Sequence, residues 1–131
     1  MLSVSLDNKK LEVFLSAEEN EAARKKLSAY PNPIIIHVTS ITTKNQEWPF
    51  SNWEQLIAAM PGYTFIQIGL GNEQLISGAV DFRGKTTFRE AMALINNALS
   101  FAGVVSSFSH ATNALDVPGV VLFGASTPEV W

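Results

Sequence analysis

The 131-residue sequence predicts an α/β domain built on an open, mostly parallel sheet of about five strands with helices on both faces. Three observations predict it. Short continuous apolar runs at residues 34–38, 63–68, 101–105 and 120–123 read as strands covered on both faces, a parallel-sheet pattern. Segments with helix-start signals alternate with these runs. The connecting loops are short and polar, so right-handed crossovers are expected. The clearest unit is residues 101–124. There an apolar run meets Ser106 and Ser107, a helical segment follows over 108–115, Asp116 and Pro118 break it, and a second apolar run ends at Gly124. Its first turn sets backbone N–H groups and hydroxyls at a helix start, a ready site for an anion such as a phosphate.

Taken in order, residues 1–32 read as a lead-in strand or linker followed by a first helix, and residues 33–131 as the main domain. Ser16 and Glu19 form a capping box that opens the first helix. Acidic Glu18, Glu19 and Glu21 near its start and basic Arg24, Lys25 and Lys26 near its end complement the helix dipole, so the basic trio reads as a solvated helix end. Pro31 and Pro33 stop it. The β-branched run 34–38 is a buried strand and empties into a polar loop. Ser51 and Glu54 suggest a second capping box for a helix over 51–60, ended by Pro61-Gly62. The strand at 63–68 leaves through Gly69 and Gly71, with a weak helix expected over 73–77 and a short strand at 80–82. Thr87 and Glu90 form a third capping box for a helix to about residue 99. The chain stops soon after the last strand with no closing helix, so it is expected to be truncated at its C-terminus.

Composition narrows the function classes. An apolar fraction of 47% supports a substantial core. No apolar run approaches the roughly 20 residues of a membrane span, and the N-terminus lacks a signal-peptide pattern, so a cytoplasmic protein is expected. The absence of cysteine removes disulfide and thiolate chemistry. A net charge of −3 argues against a general nucleic-acid binder. Dinucleotide-fingerprint, P-loop and nucleophile-elbow motifs are absent. With two distant histidines, no metal site and no cofactor are expected.

In sheets of this kind ligands bind beyond the carboxyl ends of the strands. The conspicuous polar residues fall there: Thr39, Ser40 and Lys44 after one strand, Glu73 after the next, Ser106, Ser107 and His110 after the fourth. Each carries two readings. Lys44 serves a phosphate as a point charge or is a solvated loop lysine. Glu73 accepts hydrogen bonds from a ribose or caps the helix expected after it. Ser106 and Ser107 present hydroxyls and N–H groups to a phosphate, or one of them is simply an N-cap. His110 reaches the same anion or is structural. His37 is expected to hydrogen-bond to the next loop, and Trp48 and Trp53 to pack beneath it.

Several short stretches recur in a familiar order: His37-Val38-Thr39-Ser40 with Lys44 and Trp48-Pro49; Gly69 with Glu73; Gly84-Lys85-Thr86-Thr87-Phe88-Arg89-Glu90; Ser106 with His110 and Ala114-Leu115; and Phe123-Gly124-Ala125-Ser126-Thr127-Pro128. From about residue 34 onward this resembles the C-terminal domain of ADP-heptose:lipopolysaccharide heptosyltransferases, glycosyltransferase family 9. The resemblance implies a Rossmann-like domain, the C-terminal half of a two-domain type B glycosyltransferase that holds the donor nucleotide-sugar. It would place Thr39, Ser40 and Lys44 on the diphosphate, Glu73 on the ribose, and the Ser106–His110 turn, with Ser107, on the phosphates. The implied partners are ADP-heptose and an N-terminal transferase half or a second copy of the chain, with no nucleic acid and at most peripheral membrane contact. The half alone would not transfer sugar. Val105 stands where the family pattern is acidic, and Ser107 where it has Gly. These departures support an alternative: a Rossmann-like binding or self-association module that has lost its nucleotide site.

Overall fold

The computed structural model describes residues 14–39, 47–104 and 106–122. Ser40, Lys44, Val105, the residues from 123 onward and most of the expected lead-in strand lie outside them. In chain order the elements are α1 (Ala17–Leu27), β1 (Pro33–His37), α2 (Phe50–Ala59), β2 (Thr64–Gln67), β3 (Val80–Asp81), α3 (Phe88–Asn97), β4 (Ser100–Val104), α4 (Ser107–Ala114) and β5 (Gly119–Leu122). The five strands form one sheet in the order β3-β2-β1-β4-β5, and every pairing is parallel. The predicted α/β class and strand count hold.

The apolar run of β1 explains the two layers. Ile34, Ile35 and Ile36 are all buried, but alternate side chains point to opposite faces. Ile35 joins Ile66, Ile68 and Phe101 under α1, α3 and α4. Ile34, Ile36 and Val38 join Phe65 and Ile76 under α2, with Trp53 at 1% exposure. Each such side chain contributes about 1.5–3 kcal/mol by leaving water. On the α2 face, Ala102 of β4 and Val120 and Leu122 of β5 line an open apolar groove with Trp48, Trp53 and Met60. No described helix covers it, and Val120 is 59% exposed.

Two predicted capping boxes form. Ser16 Oγ accepts from the Glu19 N–H at 3.0 Å while Glu19 Oε1 accepts from the Ser16 N–H at 2.8 Å. Thr87 and Glu90 make the same exchange at the start of α3. The Ser51 box does not form. Pro49, with φ of −54°, is the N-cap, and its carbonyl accepts from the Asn52 N–H at 2.9 Å. The fixed proline φ starts the helix early, so Ser51 already lies inside the first turn. The weak helix at 73–77 is also absent, and these residues run as an irregular loop. The cause is Gln67, wholly buried in β2. Its amide donates to the Gln74 carbonyl at 2.9 Å and accepts from the Ile76 N–H at 2.8 Å, taking backbone groups that a helix would need. Asp116 ends α4 in the left-handed conformation at φ +60°, as its predicted role as a breaker requires.

Glu19 also ties α1 to α3. Its carboxylate accepts from Arg89 Nε at 2.7 Å and Nη2 at 2.9 Å, and Arg89 Nη2 donates to the Phe14 carbonyl. Asn20 Oδ1 accepts from both Asn96 and Asn97 along the same flank. The Arg89 hydrogen bonds, with the Ser16 N–H, pull the Glu19 pKa from 4.5 down to about 2. A depressed carboxylate stabilises the fold above the unfolded pKa, and the effect is lost as pH falls through the folded one. Arg89→Ala is therefore expected to lower the melting midpoint at pH 7, with the deficit shrinking between about pH 4.5 and 2. Circular dichroism melts of both proteins across that range check this; a deficit that does not change with pH would mean the arginine acts through packing alone.

Candidate functional site

The strand order reverses between β1 and β4. The chain leaves β1 for α2 on one face and leaves β4 for α4 on the other, so a crevice opens beyond the carboxyl ends of these neighbours. His37, Val38 and Thr39 carry β1 into it, with His37 6% and Thr39 8% exposed. The His37 ring packs edge-on against Phe108, in the first turn of α4, with centroids 4.8 Å apart. Phe108 in turn lies 5.2 Å from Phe88, at the start of α3. An aromatic ladder thus runs from the buried end of β1 to the half-exposed Phe88.

Among the described residues four buried side-chain polar atoms have no hydrogen-bond partner: His37 Nδ1, Thr39 Oγ1, Glu73 Oε1 and Trp53 Nε1. Three of the four sit at the carboxyl ends of β1 and β2. A buried polar group left unpaired costs about 1–3 kcal/mol, so folded proteins keep few of them. Their concentration on one sheet edge marks it as the place where a polar ligand would be satisfied. Burial holds the His37 pKa below its ordinary value, against the opposing charges of Glu73 and Glu47. Burial thus favours the neutral imidazole of His37; its Nδ1 has no partner, and residues 40–46 of the loop expected to bond it lie outside the described residues.

Glu73 does not cap a helix. It sits in the loop after β2, where Oε2 accepts from the Leu70 N–H at 3.0 Å. Oε1 lies 2.3 Å from where a Cβ on Gly69 would stand, and Gly69 has φ of +139°. Only glycine meets both conditions, so the Gly69–Glu73 spacing exists to seat this carboxylate. The loop is held from behind by Arg83. Its Nε and Nη2 donate to the two Asp81 oxygens at 2.8 and 3.0 Å, and its Nη1 donates to the Glu73 carbonyl.

At α4, Ser106 is the N-cap. Its Oγ accepts from the Phe108 N–H at 3.2 Å, while its own N–H donates to Ser109 Oγ at 2.9 Å. Two donors that an anion would use are thus engaged by serine oxygens. Ser107 and His110 are exposed on the same helix. Of the seven residues singled out from the sequence, the structure places Thr39, Glu73, Ser106, Ser107 and His110 along one sheet edge, while Ser40 and Lys44 lie outside the described residues. Trp48 and Trp53 pack at right angles, centroids 5.2 Å apart, as packing residues. Sequence reasoning missed Gln67, Asp81 and Arg83; a polar residue inside an apolar strand and the Asp-x-Arg spacing were their signals.

Among the described residues no helix is long and apolar enough to cross a membrane. Comparison with known proteins agrees with the fold. The chain is 29% identical over 109 residues to lipopolysaccharide heptosyltransferase 1 of Salmonella typhimurium, spanning 75% of this chain but 33% of that protein. It superposes on Escherichia coli ADP-heptose lipopolysaccharide heptosyltransferase II with a TM-score of 0.74 at 20% identity, covering 89% of this chain and 40% of that one. It matches the heptosyltransferase TibC of enterotoxigenic E. coli, solved with ADP-D-β-D-heptose, with a TM-score of 0.66 at 25% identity, covering 99% of this chain and 33% of that one. The chain therefore spans roughly a third of the curated relative it matches. The family model for glycosyltransferase family 9 (heptosyltransferase) matches residues 2–131, and with the switch-point architecture this establishes that the chain belongs to that family.

Proposed function

We propose that this chain is the donor-binding half of a heptosyltransferase-like glycosyltransferase and holds a nucleotide diphosphate sugar, ADP-heptose, at the switch point. The observation that carries this reading is the trio of unpartnered polar atoms on His37, Thr39 and Glu73. A nucleoside diphosphate supplies what they lack: ribose hydroxyls for the Glu73 carboxylate and phosphate oxygens for the Thr39 hydroxyl. Lys44 and Ser40, in the loop that follows Thr39, would add charge and a further hydroxyl. Ser107 and His110, at the start of α4, would face the phosphates, with Ser106 capping the helix. TibC, a relative, is solved with ADP-D-β-D-heptose, which supports this choice of donor.

In this reading the half stabilises the nucleotide diphosphate as it departs from the sugar's anomeric carbon, because fixed donors and a cation spread the developing charge. The acceptor, a lipopolysaccharide core sugar, and the base that deprotonates it would belong to an N-terminal half, at the cytoplasmic face of the membrane. Without that half the proximity and general-base contributions are lost, and the chain binds donor without transferring sugar. A second reading, a self-association module, draws on the open apolar groove beside Val120 and Leu122.

Calorimetric titration with ADP, ADP-heptose, UDP and GDP is expected to show binding of the adenine nucleotides. Lys44→Ala should weaken it about tenfold or more, the scale of a charge-assisted hydrogen bond. A folded sample that binds no nucleotide would sink the donor reading. Gly69→Ala should cost about 1–3 kcal/mol in denaturant unfolding and weaken ADP by at least several-fold, because its Cβ evicts the Glu73 carboxylate. Light scattering across a concentration series tests the second reading: a monomer throughout removes it, whereas a dimer that Val120→Asp dissociates supports it.

A further inference from the structure

Two carboxylates stand at the β2–β3 end of the sheet edge, and they are not equivalent. Both Asp81 oxygens are consumed. They accept from Arg83 Nε and Nη2, and Oδ1 accepts also from the Arg83 N–H at 3.0 Å. These bonds hold the Asp81 carboxyl well below the usual carboxylate range. Glu73 has one oxygen occupied and one buried without a partner. Arg83 separates the two roles, because its third arm crosses to the Glu73 carbonyl.

Glu73 has no helix to hold it, so its placement depends on contacts between loops. The Gly84 N–H donates to the Gly69 carbonyl at 2.6 Å. Gly84, at φ +64°, comes so close to Gly71 that a Cβ would stand 2.9 Å from the Gly71 Cα. Those contacts secure the front of the loop at Gly69 and Gly71, and Arg83 secures its far end at Glu73. A planar guanidinium can bond Asp81 in a fork and still reach a carbonyl, whereas a lysine ammonium cannot reproduce that geometry.

We infer that Arg83 is a positioning residue that fixes the Glu73 carboxylate for a ribose, and so sets the preference of this site for nucleotides bearing ribose hydroxyls. This rests on the donor-binding reading and adds to it the source of sugar-moiety discrimination. Arg83 does not touch the nucleotide; its effect passes through Glu73.

The test is the ratio of affinities for ADP and 2′,3′-dideoxyadenosine diphosphate, measured by calorimetry on the 131-residue chain and its variants. The unaltered chain should prefer ADP by about tenfold or more, the value of hydrogen bonds to a charged acceptor. Glu73→Gln and Arg83→Met should both bring the ratio to within about twofold, with affinity for the dideoxy nucleotide nearly unchanged in Arg83→Met. Arg83→Lys should give an intermediate ratio. A preserved ratio in Arg83→Met overturns the inference, as does an equal weakening of both nucleotides, which would mean a direct phosphate contact or a general loss of structure. Should Arg83→Met fail to fold, Asp81→Asn and Arg83→Lys carry the same ratio test with the cation retained. Absence of ADP binding to the unaltered chain brings down the donor reading and this inference together, whereas ADP binding with an unmoved ratio removes only the role of Arg83.

Discussion

Everything in this molecule hangs on β1 being sandwiched in two directions at once. It pairs in parallel with β2 on one side and β4 on the other, and its side chains are buried above and below. Such a strand has no polar surface to offer, which is why it can be isoleucine at three successive positions. The same sandwiching ends abruptly at its carboxyl end. Beyond His37 the two connections part to opposite faces, and the chain enters a space with neither ladder partners nor free access to water. Polar groups there are costly unless something else meets them.

That cost gives the edge its character. His37 is kept neutral by burial even with carboxylates nearby. Both Asp81 oxygens are engaged by Arg83, whereas Glu73 has one oxygen bonded and one without a partner. Three titratable side chains along this edge of the sheet thus differ in how fully the fold satisfies them, each by its own geometry. A preformed arrangement of this kind would need little reorganisation to meet a polar ligand, the main route by which fixed dipoles and charges gain strength.

The α/β class and the strand positions were legible because long β-branched runs and reciprocal Ser/Thr–Glu caps are local signals. The same locality explains the failures. Ser51 and Glu54 look like a capping box, but Pro49 governs the entry geometry first. Residues 73–77 look weakly helical, but the deciding interaction comes from Gln67, whose buried amide captures the backbone of the loop. Glu73 could be singled out by its place after a glycine-bearing turn. Its seat on Gly69 and its tether to Arg83 needed three dimensions, since neither is a periodic pattern. Ser106 had both a capping and a ligand reading, and the hydrogen bonds give it the cap.

The pairing of β1 with β4 has a consequence for biosynthesis. Ile34 lies beside Ser100, so about half of the polypeptide separates two strands that touch at the centre of the sheet. A ribosome delivers β1, α2 and β2 long before β4, and the α1 partner α3 arrives late as well. Until then three successive isoleucines have one neighbour instead of two. Non-local ladders of this sort form slowly and leave apolar strands exposed during synthesis.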